Sequence, residues 1–190
     1  MVERENRDAA RLEALRFFEL CLAHAPWNLE VMAHIQMWNG PAWDRKRIGL
    51  KTPEEVARWV VDEQGGHEAY VPAHTRTWDE VAAVVEITAQ GALDLALFPL
   101  PPTFAVQHGH HGLQAVWLLR RPVQWYPGAN LSHAFARRLD ARPRTRIRVP
   151  GSPRLPADGR GASLEIGTGA AYDHDDIRDW LRGLRARPKR

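Results

Sequence analysis

The sequence predicts an α+β fold in which a mixed or antiparallel central sheet is flanked by helices. Two observations predict this class: helices are indicated at both ends of the chain, by apolar spacing at the first and by charge distribution at the second, and four segments of strand length follow one another in the middle. Strands that succeed one another without long intervening helices favour mixed or antiparallel pairing over the parallel sheet of repeated βαβ units.

The helices are predicted from apolar spacing and from cap residues. In residues 4–24, leucine and phenylalanine recur at helical spacing among charged residues. Thr52, followed by Pro53 and two glutamates, is typical of a helix start, and this helix is expected to end near Glu63. Further helices are expected over 91–97, 130–139 and 173–187, the last with acids at its start and arginines near its end.

The strands are predicted from alternation of apolar and polar residues. The expected strands are Leu29–Met37, His67–Pro72, Val81–Thr88, Thr103–Gln107, Gln114–Leu119, Arg144–Val149 and Ser163–Ile166. A turn is expected over Trp38–Trp43 and a loop rich in proline and glycine over Pro150–Gly161. No repeat or long linker divides the sequence, so residues 1–190 are expected to form a single domain.

Composition excludes several classes of protein. The chain is 44% hydrophobic and 26% charged, as in an ordinary globular domain. A single cysteine, Cys21, excludes an internal disulfide and a cysteine-based zinc site. No apolar run approaches the length of a membrane span, and no secretory signal is visible, so a cytoplasmic protein without a membrane partner is expected.

Charge is concentrated in the second half of the chain. The formal net charge is only +3, but arginines are dense between Arg137 and Arg160 and again at the C-terminus. Such a distribution is typical of a surface that binds polyanions, and it is equally compatible with general arginine usage in a GC-rich genome.

Two segments carry residues suited to phosphate chemistry. In the first, two strands flank a glycine-containing loop with His108, His110 and His111, which could bind a metal, bind phosphate or simply face solvent. In the second, Arg144, Arg146 and Arg148 alternate along a predicted strand. They would form a cationic ridge for phosphates, or the charged face of an edge strand that discourages aggregation.

Read together, these segments resemble the archaeo-eukaryotic primase superfamily. The motifs are PPTFAVQHGHHGLQAVWLLRRPV at 101–123 and IRVPGS at 147–152, and they are most similar to the primase-polymerase and plasmid Rep-type primase branch. Upstream, KTPEEVARWVVDEQGGHEAYVPAHT is similar to the family's helix and strand, and VAAVVEIT falls at its first metal-binding motif. The resemblance covers about residues 50–177 and implies the RRM-like catalytic core of these enzymes.

The resemblance also implies roles for individual residues. Family members hold divalent metal ions with two acids spaced two apart on one strand and a third acid on a neighbouring segment, so the motif positions here are Glu86, Thr88 and, by spacing, Arg142. Asp140 is the acid nearest to the third position. The implied metal ligands are Glu86 and Asp140, with Mn²⁺ or Mg²⁺ as the cofactor.

A hydroxyl at 88 and a guanidinium at 142 make this a degenerate version of the motif, because such ions prefer anionic oxygen. Asp79, Glu80 and Asp94 are nearby acids that could compensate.

The phosphate-binding residues follow from the same resemblance. Gln114 stands where the family usually has a histidine that contacts the incoming triphosphate. The implied phosphate-binding residues are His108, His110, His111, Arg144, Arg146 and Arg148, with Glu86, Thr88, Asp140 and Gln114 as the catalytic positions.

Three functions are compatible with these residues. The first is a metal-dependent primase or polymerase that joins nucleoside triphosphates on a single-stranded DNA template, in the replication of a plasmid, phage or mobile element, with a helicase as a partner. The second is a degenerate primase-fold module that binds single-stranded nucleic acid or nucleotides without polymerising. The third is a scaffold that makes protein contacts in a replication assembly.

Overall fold

The structure is a computed structural model of the chain. It describes residues 2–24, 34–38, 43–47, 52–63, 68–75, 77, 79–88, 98, 100–108, 112–124, 130–152 and 162–185. None of the described helices is long and apolar enough to span a membrane.

The described segments contain four α-helices and nine strands. The helices are α1 (Val2–His24), α2 (Pro53–Arg58), α3 (Leu131–Leu139) and α4 (His174–Arg185). The strands are β1 (His34–Trp38), β2 (Trp43–Arg47), β3 (Glu68–Pro72), β4 (Glu80–Ile87), β5 (Phe104–His108), β6 (Gly112–Val123), β7 (Arg142–Pro143), β8 (Arg146–Arg148) and β9 (Ala162–Ile166). The expected α+β class is therefore confirmed.

The strands divide between two antiparallel sheets. One has four strands in the order β2-β1-β3-β8, and the other has five strands in the order β7-β4-β6-β5-β9. Antiparallel pairing suits the short connections between β1 and β2 and between β5 and β6, whereas the other pairs join strands that are not consecutive in the chain. The chain passes from the five-stranded to the four-stranded sheet between β7 and β8, so the segment around Arg144 joins the two sheets.

The five-stranded sheet is covered on both faces. On one face, Val84 and Val116 pack in a cluster with Phe17 and Phe18 of α1 and with residues of the four-stranded sheet. On the other face, the fully buried Trp117 packs with side chains of α3 and α4. Alternation along β4 and β6 thus supplies apolar side chains to two cores, as expected for a sheet between layers.

Helix α1 is fixed to the rest of the fold by polar groups as well as apolar ones. Arg11 donates from Nε to Asp62 Oδ2 at 2.9 Å, and Glu13 accepts a hydrogen bond from the backbone of Leu164 in β9 at 2.6 Å. Cys21 is buried in the same cluster as Phe17, and burial raises the pKa of its thiol to about 12. These contacts connect the N-terminal helix to Asp62 and to β9.

The helix cap that the sequence predicts at Thr52 is present. Its hydroxyl accepts from the Glu55 amide, while the Glu55 carboxylate accepts from the Thr52 amide, which is a capping box. The helix predicted to run to Glu63 instead ends as α-helix at Arg58 and continues as a π-helical turn over Trp59–Glu63.

Two strand predictions need correction. The strand predicted over Leu29–Met37 is observed at His34–Trp38, and β2 was not predicted. The strand predicted over Arg144–Val149 is confirmed only in its middle, because Arg146–Arg148 alone forms β8. Residues 29–33, the helix predicted over 91–97 and most of the loop after Pro150 lie outside the described residues.

Candidate functional site

Three polar side chains lie in a row across neighbouring strands of the five-stranded sheet. Glu86 in β4 is directly opposite Gln114 in β6 on one side and Arg142 in β7 on the other. Directly opposite residues of an antiparallel pair project to the same face, so these three side chains share one face of the sheet. The position at which the resemblance implies a third acid is thus beside Glu86, and it carries an arginine.

A second arginine contacts Glu86 from the same edge. The backbone N–H of Arg144 donates to Val84 O at 3.0 Å, which places Arg144 next to β4. Its Nε donates to Glu86 Oε2 at 2.5 Å, with side-chain exposures of 43% for Arg144 and 17% for Glu86. The Glu86 carboxylate is therefore paired with one guanidinium, and a second arginine, Arg142, is directly opposite it at the same edge.

The four-stranded sheet contributes a buried ion pair. Arg148 in β8, only 2% exposed, lies 3.3 Å from Glu68 in β3 through Nη1 and Oε1. The Tyr70 hydroxyl donates to Glu68 Oε2 at 2.7 Å, and Tyr70 is directly opposite Arg148 in the sheet. Burial and the hydrogen bond to Glu68 raise the pKa of Tyr70, with smaller effects of Arg148, which lowers it, and Glu86, which raises it.

Gln114 connects the two sheets at this point. Its Oε1 accepts a hydrogen bond from the backbone N–H of Arg148 at 2.8 Å, and the side chain is 4% exposed. The neutral amide thus acts as an acceptor for the backbone of β8. The row on one sheet and the ion pair on the other therefore form one polar region, which we call the arginine–carboxylate cluster: Glu68, Tyr70, Glu86, Gln114, Arg142, Arg144 and Arg148.

The other predicted site residues lie in different settings. Asp140 is exposed and ends α3 in a left-handed conformation, with φ of 51°. Thr88 is exposed and follows the end of β4. Arg146 is half-buried in β8, and the backbone of His108 ends β5, whereas His110 and His111 lie outside the described residues.

The predicted ridge of three arginines is divided between the sheets. Arg144 bonds to β4 of the five-stranded sheet, whereas Arg146 and Arg148 belong to β8 of the four-stranded sheet. Arg148 is buried and paired with Glu68. Arg144 is thus paired with Glu86 and Arg148 with Glu68, and the three arginines do not form one solvent-exposed strand face.

Two of the acids considered as compensating metal ligands are already engaged. Glu80 is buried and accepts from the Leu131 N–H at the start of α3 at 2.9 Å. Asp79 accepts from the Thr77 hydroxyl at 2.7 Å and closes a turn with Thr75. Asp94 lies outside the described residues.

The residues at the motif positions do not fit a pair of divalent cations. Position 88 offers a neutral hydroxyl and position 142 a positive charge, so Glu86 is the only carboxylate among the three motif positions. Within the described ranges, no three His, Cys, Asp or Glu side chains are grouped so that they could hold a metal ion. Mg²⁺ and Mn²⁺ prefer several anionic oxygens, and a guanidinium beside Glu86 repels a cation.

Sequence reasoning missed Glu68 and Tyr70. Alternation along the predicted strand His67–Pro72 puts these two residues on one face, so the local signal was present. Their partner Arg148 lies about 80 residues further along the chain, and pairing at that distance depends on the register of β3 with β8.

The fold is similar to that of solved primase catalytic domains, which confirms the fold expected from the resemblance. The chain is similar to the AEP domain of the primase-polymerase of cyanophage S-2L, with a TM-score of 0.60 and 17% identity over 86% of this chain and 97% of that one. It is also similar to the catalytic domain of primase RepB′ in complex with initiator DNA, with a TM-score of 0.58 and 12% identity over 93% of this chain and 100% of that one.

A longer RepB′ primase structure matches with a TM-score of 0.52 and 14% identity, over 90% of this chain and 64% of that one. No family model matches the sequence, and no curated protein matches it. At these identities the likeness establishes the fold, and the function has to be argued from the residues of this chain.

Proposed function

We propose that this chain is a primase-fold module that binds single-stranded nucleic acid or nucleotides through their phosphates and does not join nucleotides. The observation that carries the proposal is Arg142 directly opposite Glu86, at the position where a polymerising member of this fold would need an acid. The module would serve in the replication of a plasmid, phage or other mobile element, with a helicase as a partner.

The charge of the arginine–carboxylate cluster supports phosphate binding. Arg142 and Arg144 are exposed and lie on one side of Glu86, and the half-buried Arg146 lies in the adjoining β8. Arginine binds phosphate oxygens with two parallel N–H groups, which gives both affinity and orientation. The similar RepB′ catalytic domain has initiator DNA bound, which supports a polynucleotide as the ligand of this fold.

The same residues argue against strand synthesis. Joining nucleotides by the two-metal route requires carboxylates that hold both ions beside the reacting phosphate. Thr88 and Arg142 remove two of these carboxylates from the motif positions, and Asp140 is at an exposed helix end. The residues that this chain retains are suited to holding and orienting phosphates.

A metal-dependent nucleotidyltransferase is the second candidate. It is favoured by Glu86 directly opposite Gln114, which keeps one acid beside the expected triphosphate contact. In that case Glu86 and Asp140 would bind Mn²⁺ or Mg²⁺, with His108, His110, His111 and the arginines on the triphosphate.

Two assays on the purified chain separate the candidates. Fluorescence anisotropy with a labelled oligothymidylate is expected to show binding that weakens as salt is raised, because phosphate contacts release counterions. Incubation of a primed template with deoxynucleotides and MnCl₂ is expected to give no extension. Extension that is lost in Glu86→Gln would overturn the proposal in favour of the enzyme, and absence of oligonucleotide binding at low salt would also overturn it.

The Arg142→Ala variant tests where the strand binds. We expect weaker oligonucleotide binding and a salt slope smaller by about one, because one phosphate contact is lost. Arg182→Ala is the matched control, since Arg182 is an exposed arginine of α4, on the opposite face of the five-stranded sheet. Equal effects of the two substitutions would mean that general charge, and not this edge, binds the strand.

A further inference from the structure

We propose that the phosphate site beside Glu86 works without a divalent cation, because the guanidinium groups of Arg142 and Arg144 supply the positive charge there. This inference rests on the proposed function and adds the chemistry by which the site would bind a triphosphate.

The first argument is the charge balance at the motif positions. A site with acids at all three positions is strongly negative and repels a triphosphate until cations are bound. Here Thr88 removes one negative charge and Arg142 replaces another by a positive charge. Arg144 neutralises Glu86, and Arg148 neutralises Glu68. The remaining charge of Arg142 makes the arginine–carboxylate cluster positive without any metal.

The second argument is access. Arg142 and Arg144 are both exposed, and the register puts them on the same face as Glu86. Among the residues that the structure describes, none forms an ion pair or hydrogen bond with the Arg142 side chain. Two adjacent guanidiniums that reach solvent form a suitable fork for neighbouring phosphate groups.

The third argument is that the ion pair between Arg144 and Glu86 leaves part of the Arg144 guanidinium available to a phosphate. The Glu86–Arg144 pair engages Nε of Arg144, and within the described segments the terminal nitrogens of this guanidinium have no partner. A partly exposed ion pair is weak, because water screens it. The terminal nitrogens of Arg144 can therefore donate to a phosphate while Nε keeps its bond to Glu86.

The buried pair has a different part in this arrangement. Arg148 is enclosed with Glu68 and Tyr70, and its backbone N–H is bound to Gln114. It therefore fixes β8 against β6 and holds the two sheets in place around the exposed arginines. We assign Arg148 a positioning role and Arg142 and Arg144 the binding role.

The test uses inorganic tripolyphosphate and MnCl₂ as separate probes in isothermal titration calorimetry. We expect no uptake of Mn²⁺ at millimolar concentration. We expect tripolyphosphate to bind in excess EDTA at least as tightly as in MnCl₂, since Mn²⁺ neutralises the ligand that the arginines attract. Binding that requires MnCl₂ would overturn the inference.

Variants that remove a positive or a negative charge are expected to change the tripolyphosphate affinity in opposite directions. Arg142→Gln with Arg144→Gln is expected to weaken tripolyphosphate binding in EDTA by roughly tenfold or more, because two charge-assisted contacts are lost. Glu86→Gln is expected to tighten tripolyphosphate binding in EDTA, because a negative charge beside the two guanidiniums is removed. A metal-dependent site predicts a loss of binding instead. Arg182→Gln is the control for overall charge, and thermal melts followed by circular dichroism establish that each variant is folded.

The outcomes distinguish this inference from the proposed function. Oligonucleotide binding with no tripolyphosphate binding in either condition overturns the inference and leaves the module intact. Loss of tripolyphosphate binding in Glu86→Gln, together with Mn²⁺ uptake by the unaltered chain, overturns both. Tripolyphosphate binding in EDTA that the arginine pair controls, and that Glu86→Gln does not weaken, supports both.

Discussion

Glu80 is a carboxylate that the fold removes from water. It lies at the start of β4, 6% exposed, and its Oε2 accepts the backbone N–H of Leu131 at the first turn of α3. It also lines a small pocket together with His74, Asn130 and Arg144. Burial raises the pKa of Glu80 to about 7, although the backbone N–H groups of Leu131 and Ser132 oppose this shift.

This raised pKa predicts a loss of stability as pH increases. Between an ordinary carboxyl pKa and about 7, the folded chain holds a proton on Glu80 that the unfolded chain has released. The stabilisation is full below the unfolded pKa and is lost as pH rises through the folded one. We therefore expect Glu80→Gln, which resembles the protonated form, to match the parent near pH 5 and to exceed it at pH 8 by up to about 3 kcal/mol.

Urea unfolding at the two pH values measures this difference. Glu165→Gln is the matched control, because Glu165 is an exposed residue of β9. If Glu80→Gln destabilises the chain equally at pH 5 and pH 8, the role of Glu80 is that of an ionised cap and the interpretation is wrong.

Local sequence patterns were sufficient to predict the position of some strands and insufficient for others. The strands around Val84 and Val116 were predicted within a few residues, because alternation and apolar content act locally. Alternation also continues through Arg144–Val149, but the chain changes sheets there: Arg144 N–H bonds to Val84 O and Thr145 O accepts from Ala73 N–H. Only the long-range partners of these backbone groups reveal the break, so the sequence pattern could not.

For the candidate site, the sequence likewise predicted individual positions but not the contacts between the two sheets. The resemblance drew attention to Glu86, Gln114 and position 142, and the register brings these three together. It provided no reason to expect Arg144 on the carboxylate of Glu86 or Glu68 beside Arg148. Those contacts depend on how the two sheets meet, which is a property of the tertiary fold.

The turn after β8 depends on a glycine that packs against α1. Gly151 has φ of 75°, and a Cβ at this position would lie 2.1 Å from the carbonyl oxygen of Ala10. Gly151→Ala is therefore expected to destabilise the chain by about 2 kcal/mol or more, through backbone strain and displacement of the helix. Thermal unfolding measures the effect.

A second glycine provides the opposite expectation. Gly183 lies in α4, and among the described residues no atom outside its own helix backbone lies within 4 Å of an added Cβ. Gly183→Ala should therefore stabilise the chain by about 0.5–1 kcal/mol, measured by thermal unfolding. A neutral or stabilising Gly151→Ala would show that α1 and this turn are not in close contact.

At the scale of the whole molecule, one apolar cluster joins both sheets. Phe17 of α1 is fully buried and packs edge-on against Phe104 of β5, with ring centroids 5.5 Å apart. The same cluster includes Ile147 of the four-stranded sheet and Val84 of the five-stranded sheet. Because both sheets pack against this one cluster, we expect them to unfold in a single cooperative transition.

Phe17→Ala tests this cooperativity. We expect a loss of about 3–4 kcal/mol, with circular dichroism and tryptophan fluorescence reporting the same lowered midpoint. Leu12→Ala in the same helix is the matched control, because Leu12 is 49% exposed and its truncation should change stability by less than about 0.5 kcal/mol. Separate midpoints for the two probes would mean that the sheets unfold independently.

The position of Cys21 has a practical consequence. This thiol belongs to helix α1 and lies within the cluster that joins the sheets. Its raised pKa keeps it in the unreactive protonated form. We therefore expect a thiol-specific dye to reach it only when α1 detaches or the chain unfolds, so that the labelling rate under native conditions reports these openings. The chain thus contains its own single-site reporter of that motion, with no engineered probe.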